Sequence, residues 1–304
     1  MEADRKHTAA RLAVYFEEQR DVDFYGFIEK KESLAAAAAT GVKDVYVVIS
    51  NERLNEVSAL LKEADQQFLR LKFVPNLEKP LSDSYTVNYL GSEFPVITLR
   101  HEPLENITNR LKKRAIDIVF STAVIVLIMS WLYPLVGLLI KLQSKGPVLF
   151  KQLRSGRNDV SFLCYKFRSM QVNDDSDEKQ ASKEDGRITP FGHFLRRTGL
   201  DEMPQFFNVF MGDMSVVGPR PHMLKHTEQY KVIINQYMVR HFLKPGITGW
   251  AQVNGFRGET KELKDMQGRV ECDIYYLEKW SAMLDVKIVF MTIINGLRGD
   301  KNAY

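Results

Sequence analysis

The apolar segment between Ala115 and Lys141 constrains the fold of this chain more than any other stretch of its sequence. It reads AIDIVFSTAVIVLIMSWLYPLVGLLIK, and Asp117 is its one charged residue before the terminal lysine. A straight helix needs roughly 20 apolar residues to cross the hydrocarbon core of a bilayer, so this segment is long enough. The sequence therefore predicts either a membrane helix or an unusually apolar core helix.

Basic residues flank the apolar segment on both sides, at positions 112–114 and at Lys141. Because lysine and arginine favour the cytoplasmic side of a membrane, a single span would leave one basic cluster on the unfavourable side. Pro134 falls inside the segment, and proline kinks or breaks a helix. We therefore predict a re-entrant helix over about residues 115–141 that enters the bilayer, bends at Pro134 and returns. The alternatives are a simple anchor helix and a buried core helix. The unbroken aliphatic runs make the buried core helix the least favoured of the three.

The first third of the chain alternates between helical and strand-like patterns. Residues 44–50 are apolar without strict alternation, as in a buried parallel sheet. A second strand is predicted at 70–75, and a helical pattern over 52–64 lies between the two. A further strand is predicted at 23–28. This order predicts a partial Rossmann-like α/β domain over residues 1–104. The glycine-rich phosphate turn of a dinucleotide site is absent from its sequence, so we expect an assembly or regulatory role rather than catalysis.

Acidic, basic and aromatic residues are concentrated between residues 195 and 221. Asp201 and Glu202 are adjacent, Arg196 precedes them, and Arg220 lies between two prolines. Carboxylates can hold Mg²⁺ through oxygen ligands, and one of them can attack phosphorus as a nucleophile. Arginines can bind phosphate oxygens in a bidentate manner. The alternative is a solvated helix start, where acidic residues favour the helix dipole.

A basic and aromatic region follows the apolar segment directly. Residues 141–170 hold seven cations, Lys166 among them, against one acid, Asp159. Such a region suits a phosphorylated or membrane partner, and a nucleic-acid surface has a similar composition. Its position next to the predicted membrane helix favours a phosphate site at a membrane face.

The remaining sequence predicts three helices. The first covers residues 223–242, and the second carries Arg269 within an aromatic and charged segment. The last helix, about residues 283–297, is apolar but too short to span a bilayer, so we predict that it lies in the membrane interface.

Several motifs stand in a fixed order along the chain: Lys145-Gly-Pro-Val, Tyr165-Lys-Phe-Arg-Ser-Met170, Leu200-Asp-Glu-Met-Pro-Gln-Phe-Phe-Asn208, Gly212-Asp-Met-Ser-Val-Val-Gly-Pro-Arg-Pro221, Lys244-Pro-Gly-Ile-Thr-Gly-Trp250 and Asn302-Ala-Tyr304. This set closely resembles the bacterial sugar transferases, the monotopic polyprenyl-phosphate hexose-1-phosphate transferases that begin exopolysaccharide, capsule or O-antigen repeat units. The resemblance covers about residues 107–304.

The resemblance implies a mixed α/β monotopic membrane catalytic domain over residues 105–304, with a re-entrant helix and interfacial helices. It implies transfer of a hexose 1-phosphate from a UDP-sugar, with UDP-glucose as the best match, to undecaprenyl phosphate with release of UMP. The reaction would be ping-pong through a phospho-sugar aspartyl intermediate, with Mg²⁺ as cofactor, at the cytoplasmic face of the bacterial inner membrane. The alternative function is a non-catalytic membrane scaffold for polysaccharide assembly.

The same resemblance assigns roles to individual residues. Asp201 matches the family's nucleophile and Glu202 its dyad partner, and both are candidate Mg²⁺ ligands. Pro134 stands at the expected re-entrant bend. The family's phosphate-binding set matches Lys166, Arg196, Arg220 and Arg269. The implied partners are a UDP-sugar, undecaprenyl phosphate and the lipid bilayer; a homodimer is compatible with the resemblance, and nucleic acid is not expected.

Overall fold

A computed structural model describes residues 2–18, 23–27, 34–49, 57–75, 86–90, 94–98, 100–172, 185–256, 258 and 262–298. The chain forms two compact units. One comprises Met1–His101 with Asn235–Val239, and the other comprises Glu102–Ile234 with Arg240–Tyr304. Both helices and strands occur in the structure, which confirms the mixed α/β class.

The N-terminal unit contains three helices and one four-stranded sheet in its described part. Its elements are α1 (Glu2–Glu17), α2 (Leu34–Ala39), β1 (Asp44–Ile49), α3 (Val57–Gln66), β2 (Arg70–Pro75), β3 (Thr86–Leu90) and β4 (Phe94–Thr98). The strand order is β1-β2-β4-β3; β1 and β2 are parallel, and the other pairs are antiparallel. The β1–α3–β2 unit is therefore a parallel crossover, followed by an antiparallel hairpin. The first residues of the predicted helix 52–64 lie outside the described residues.

Apolar side chains pack on both faces of this sheet. Val45, Leu71 and Phe73 form one core with the helices, while Phe16 of α1 packs with Val74 of β2 in a second core. The strand predicted at 23–28 is wrong over its described residues, 23–27, which are irregular. Gly26 has a φ of 116°, a conformation that strands do not use.

The C-terminal unit opens with a continuous helix of 37 residues, Ile107–Gln143. It consists of α4 (Ile107–Val124), a π-helical turn (Ile125–Met129) and α5 (Ser130–Gln143). Among the described residues it is the one helix long and apolar enough to cross a membrane, and 33% of its most apolar stretch is buried inside the fold. The buried side of α5, including Val136 and Ile140, packs against Phe167 and Leu195 of the site region.

Pro134 lies inside α5 and the helix continues through it. The π turn Ile125–Met129 directly precedes α5, and at this junction the N–H of Ser130 donates to the carbonyl of Ile125. The indole Nε1 of Trp131 donates to the carbonyl of Leu127 at 3.0 Å. Widened turns of this kind mark irregular points in a helix. The re-entrant course and the bend at Pro134 stay predictions.

Two of the basic residues before the apolar segment are bonded inside the C-terminal unit. Lys113 Nζ lies 2.7 Å from Asp285 Oδ2. Arg114 donates to the carbonyls of Val209 at 2.6 Å and Phe210 at 2.7 Å, at the end of the helix that follows the acidic pair. These cations therefore hold the long apolar helix against the rest of its unit as well as contributing positive charge.

The rest of the C-terminal unit consists of short elements. They are β5 (Leu149–Ser155), β6 (Ser161–Phe167), α6 (Pro190–Thr198), α7 (Gln205–Met211), β7 (Ser215–Val217), α8 (Leu224–Ile233), β8 (Gly246–Thr248), α9 (Trp250–Val253), α10 (Leu263–Lys279) and α11 (Ala282–Arg298). Strands β5 and β6 form an antiparallel hairpin, and β7 pairs with β8 in parallel.

The helix predicted over 223–242 is wrong in its second half. Helix α8 ends at Ile233, and Gln236 has a φ of 62°, which no right-handed helix allows. A separate 3₁₀ segment follows at Tyr237–Phe242. The predicted helices around Arg269 and over 283–297 are confirmed as α10 and α11.

Candidate active site

Asp201 and Glu202 lie on a single 3₁₀ turn, Leu200–Glu202, between α6 and α7. Helix α6 ends at Thr198 and is capped by Gly199, whose φ of 70° needs the freedom of glycine, and Pro204 leads into α7. Asp201 is 8% exposed and the Glu202 side chain 12%. The solvated helix start considered from the sequence is therefore wrong: Asp201 is buried and the Glu202 side chain is mostly shielded from solvent.

Glu202 is held by two cations from different elements. Lys166 of β6 places its Nζ 2.7 Å from Oε1. Arg220, which follows β7, donates through Nη2 to Oε1 at 2.8 Å and through Nη1 to Oε2 at 3.3 Å. Burial alone would raise the pKa of Glu202, but Arg220 and Lys166 outweigh it and hold the pKa well below its usual value. Glu202 is thus a fixed anion whose two oxygens are both engaged.

Asp201 has the opposite environment. Within the described residues, no hydrogen bond reaches its carboxylate. Burial raises the pKa of Asp201 to about 6; Lys166 opposes this shift and the neighbouring charge of Glu202 adds to it. At neutral pH the group is ionised, yet it is more basic than an ordinary aspartate. A buried, uncommitted and more basic carboxylate is suited to act as a nucleophile.

This difference gives a prediction for the protein without divalent cations. We expect the Asp201 carboxyl to titrate with a midpoint near pH 6, so that it is protonated and unable to attack at lower pH. Carbon-13 NMR of aspartate-labelled protein in chelator measures the midpoint, and Asp201→Asn assigns the resonance. Glu202→Gln should lower the midpoint, because it removes the like charge and leaves the two cations. A midpoint at or below about 4, the ordinary aspartate value, would contradict this interpretation.

Lys166 reaches the acidic pair because α7 is bonded to its strand. Asn208 of α7 is fully buried; its amide donates to the carbonyl of Leu163 at 2.7 Å and accepts from the N–H of Tyr165 at 3.0 Å. The side chain therefore replaces a missing strand partner along β6. Sequence reasoning missed Asn208, although it closes the Leu200–Asn208 motif.

Arg196, on the last turn of α6, is the third cation of the site. Its Nε donates to the hydroxyl of Ser169 at 2.9 Å. In the described part of the chain no carboxylate forms an ion pair with it. Its charge lowers the pKa of Asp201, which places it within electrostatic reach of that group. Arg196 is therefore the cation of the site with capacity left for an anionic ligand.

Arg269, the fourth predicted cation, bonds to a different set of groups. Its Nη1 lies 3.3 Å from His222 Nε2, and its Nη2 donates to the carbonyl of Gly258 at 2.9 Å. Arg240 joins this buried cluster, with Nη2 2.9 Å from Asp273 Oδ2. Burial, followed by the charges of Arg240 and Arg269, holds the pKa of His222 well below its usual value, so the imidazole is neutral. The structure thus brings Lys166, Arg196 and Arg220 to the acidic pair and joins Arg269 to His222.

The loop that carries Arg220 is held through its backbone. The Arg220 carbonyl accepts from Arg240 Nη2 at 2.8 Å, and the Pro219 carbonyl accepts from the N–H of Gly246 at 2.8 Å. Gly218 permits the close approach, since a Cβ there would lie 2.4 Å from the carbonyl of Lys244. Arg220 is therefore positioned before any ligand binds. Arg240 was also missed from the sequence, where a buried arginine cannot be told from a surface one.

The residues present fit a divalent cation that is shared with a substrate. Mg²⁺ in phosphate chemistry is often held by one or two carboxylates together with substrate phosphates and water. Asp201 offers a carboxylate that accepts no hydrogen bond from the described residues, whereas both oxygens of Glu202 already contact cations. Within the described residues there is no group of three or more acidic, histidine or cysteine side chains for an all-protein site. Asp201 is thus the more readily available ligand, and Glu202 could contribute its Oε2 atom, which has a single partner among the described residues, Arg220, at 3.3 Å.

Comparison with known proteins identifies the family. Residues 108–299 match the model described as bacterial sugar transferase, and this range includes the acidic pair and all four predicted cations. The chain belongs to the bacterial sugar transferase family. The family resemblance inferred from the sequence motifs is confirmed.

Several relatives of this sugar transferase, among them proteins from Escherichia coli, Xanthomonas campestris and Caulobacter vibrioides, bear the name UDP-glucose:undecaprenyl-phosphate glucose-1-phosphate transferase. The protein from Escherichia coli K12 is 49% identical over 231 residues, covering 74% of this chain and 49% of the relative. The Xanthomonas campestris protein is 42% identical over 268 residues, 86% of this chain and 54% of the relative. The Caulobacter vibrioides protein is 41% identical over 236 residues, 75% of this chain and 87% of the relative. The chain thus spans about half the length of the first two relatives.

Proposed function

We propose that this sugar transferase moves a hexose 1-phosphate from a UDP-sugar to undecaprenyl phosphate and releases UMP. The observation that carries the proposal is the unequal acidic pair, in which Glu202 is fixed by Lys166 and Arg220 while Asp201 remains uncommitted. UDP-glucose is the best candidate substrate because the three relatives are named for it. The product would start a repeat unit of an exopolysaccharide, capsule or O-antigen.

In the first half-reaction, a carboxylate oxygen of Asp201 attacks the phosphorus that carries the sugar. A new P–O bond forms to Asp201 as the P–O bond to the bridging diphosphate oxygen breaks, and that oxygen leaves as part of UMP. Arg196 would hold the phosphate oxygens, and Arg220 and Lys166 would balance their charge from their positions on Glu202. Phosphoryl transfer depends mainly on such positioning and charge stabilisation. When bound, Mg²⁺ would neutralise the diphosphate.

In the second half-reaction, an oxygen of undecaprenyl phosphate attacks the same phosphorus and the bond to Asp201 breaks. The carboxylate is regenerated, and the lipid leaves as a diphosphate-linked sugar. The attacking phosphate oxygen is already an anion at neutral pH, so this step needs no histidine base. This agrees with the state of His222, which is neutral and buried against Arg240. The two half-reactions share one nucleophile and form a ping-pong scheme.

A lipid substrate requires access to the membrane, and the helix Ile107–Gln143 supports such access. Its outward side is apolar, with Val119 and Leu127 each 70% exposed. Helix α11 adds an exposed apolar face through Met283, Val286, Phe290 and Ile293, whose spacing of three and four residues follows one side of a helix. We propose that the enzyme acts at the cytoplasmic face of the bacterial inner membrane, with the long helix re-entrant and α11 in the interface.

This topology predicts that both ends of the apolar helix react from one side. Lys112 and Lys145 are exposed and suit single cysteine substitutions. The background is Cys272→Ser, which removes the partly exposed native thiol; the other cysteine, Cys164, is buried and can stay. In sealed vesicles, an impermeant maleimide should label Lys112→Cys and Lys145→Cys from the cytoplasmic side only. Labelling of the two positions from opposite sides would show a spanning helix instead.

The N-terminal unit is proposed to serve assembly or regulation, with a partial Rossmann-like character. Its β1–α3–β2 crossover supports that relation. A homodimer is compatible with such a role. The alternative of a non-catalytic scaffold has less support. The environment of the acidic pair raises the pKa of Asp201 and lowers that of Glu202, and such a separation is typical of catalytic pairs.

The decisive assay is UMP release by the purified protein in membranes or detergent. We expect multiple turnovers with UDP-glucose, Mg²⁺ and undecaprenyl phosphate together, and loss of turnover in chelator. A panel of other UDP-sugars identifies the preferred hexose. No UMP release with any UDP-sugar, from well-folded protein in the presence of the lipid, would refute the transferase proposal and favour the scaffold.

A further inference from the structure

Ser169 lies between the two elements that bring cations to the acidic pair. It comes two residues after β6, the strand of Lys166, and its hydroxyl accepts from Nε of Arg196 on α6 at 2.9 Å. Ser169 is 7% exposed, so water does not compete freely for this hydrogen bond. One small side chain therefore links the strand that supplies one cation to the helix that supplies another.

The backbone of Ser169 also fixes the start of α6. Its carbonyl accepts from the N–H of Thr189, the N-cap residue, at 3.1 Å. Gly192 packs so closely that a Cβ on it would lie 1.9 Å from the same carbonyl. Gly192 and Arg196 are four residues apart and share one face of the helix. The helix thus has little freedom to slide, and the hydroxyl contacts Arg196 one turn further along.

The contact with Ser169 occupies Nε of Arg196 and so leaves the two terminal nitrogens as the pair available to a phosphate. An arginine binds phosphate most strongly through a pair of parallel N–H groups, and restraint of its flexible stem reduces the entropy lost on binding. With Nε bonded to Ser169, both terminal nitrogens remain for a ligand, and in the described part of the chain no carboxylate pairs with them.

We propose that Ser169 is a positioning residue for the sugar transferase reaction: its hydroxyl orients the Arg196 guanidinium beside Asp201 so that both terminal nitrogens receive the diphosphate of the nucleotide sugar. This rests on the proposed function. The influence of Arg196 on the pKa of Asp201 is consistent with such an orientation. The competing explanation is that Ser169 is merely a buried hydroxyl with a satisfied hydrogen bond.

The test uses the full chain and three substitutions. Ser169→Ala removes the hydroxyl and should raise KM for the UDP-sugar about tenfold while kcat changes less than about threefold, as for the loss of one hydrogen bond to a charged group. Ser169→Thr keeps the hydroxyl and should restore most of the affinity. Ser155→Ala is the matched control, because Ser155 is also buried on the hairpin but bonds to Thr227 Oγ1 at 2.8 Å. Equal KM changes in Ser169→Ala and Ser155→Ala would overturn the proposal.

A double-mutant cycle separates positioning from packing. Arg196→Lys removes Nε and the planar fork, so Ser169→Ala should change KM by less than about twofold in that background. An undiminished tenfold effect there would show that Ser169 acts on something other than Arg196.

A readout without substrate distinguishes failure of this inference from failure of the proposed function. In nitrogen-15 NMR of arginine-labelled protein, the Nε–H of Arg196 should be protected from solvent exchange, and Ser169→Ala should abolish the protection. Arg196→Lys assigns the resonance. If Ser169→Ala abolishes the protection of the Arg196 Nε–H but leaves KM for the UDP-sugar unchanged, the positioning role is rejected, even if the enzyme is a sugar transferase. An unprotected Nε–H in the wild type would reject the contact itself, whatever the reaction.

Discussion

Asparagine in place of Asp201 is expected to abolish both half-reactions, with kcat falling on the order of 10⁴-fold, as when the nucleophile of a covalent mechanism is removed. The amide preserves the size of the side chain but cannot attack phosphorus. UMP release with saturating UDP-sugar and lipid measures the loss. Asp213→Asn is the matched control, because Asp213 is exposed and its carboxylate accepts a long hydrogen bond, 3.4 Å, from Asn208. Near-normal turnover in Asp201→Asn would contradict the nucleophile assignment.

The same substitution is expected to stabilise the protein. The pKa of Asp201 is raised from 3.8 to about 6, so folding disfavours its ionised form. Its contribution to stability is favourable at low pH and is lost as pH rises from about 4 to about 6. Asp201→Asn should therefore raise the free energy of unfolding at pH 7 by roughly 2 kcal/mol. Thermal unfolding at pH 5 and pH 7 tests this, and the gain should shrink at the lower pH.

Replacement of Glu202 by glutamine should have the second largest effect on turnover. Unlike Asp201→Asn, it should destabilise the protein. It leaves Lys166 and Arg220 without their anion, and loss of one partner of a buried ion pair typically costs about 3–5 kcal/mol. The three side chains are 12–27% exposed, so a cost of roughly 2–3 kcal/mol is expected at pH 7. Turnover should fall on the order of 10²–10³-fold because the cations lose their fixed positions.

Glu228→Gln supplies the control for that experiment. Glu228 pairs with Lys231 at 2.6 Å, but its side chain is 65% exposed. Solvent-exposed pairs of this kind contribute little to stability. Both stability and turnover should therefore stay close to those of the wild type. Equal destabilisation by the two substitutions would show that the Glu202 cluster is no stronger than a surface ion pair.

The sequence allowed prediction of the features that depend on local pattern. The apolar helix, β1, β2, α10 and α11 follow from periodicity and composition, and the ordered motifs indicate the family. Two predictions failed where a single backbone conformation decides the outcome: Gly26 at φ 116° interrupts the strand pattern of residues 23–27, and Gln236 at φ 62° interrupts the helical pattern of residues 223–242. Hydrophobic periodicity carries no information about such positions.

The site was only partly predictable because burial and partner choice are tertiary properties. The adjacent carboxylates were evident from the sequence. It does not reveal that Lys166 and Arg220 both bond to Glu202, nor that the Asp201 carboxylate accepts no hydrogen bond from the described residues. Nor does it reveal that Arg269 bonds to His222. The sequence contains one indication of the buried cluster around His222: Arg269 and Asp273 are four residues apart on α10 and therefore lie on one face of the helix.

Mass spectrometry of the protein incubated with UDP-glucose and Mg²⁺, without undecaprenyl phosphate, tests the covalent mechanism most directly. Release of one UMP per active site should accompany a phospho-hexose adduct, which fragmentation places on Asp201 rather than on Glu202. Asp201→Asn should give no adduct, and Asp213→Asn should give a normal one. An adduct on Glu202, or UMP release that requires both substrates and leaves no adduct, would contradict the proposed mechanism.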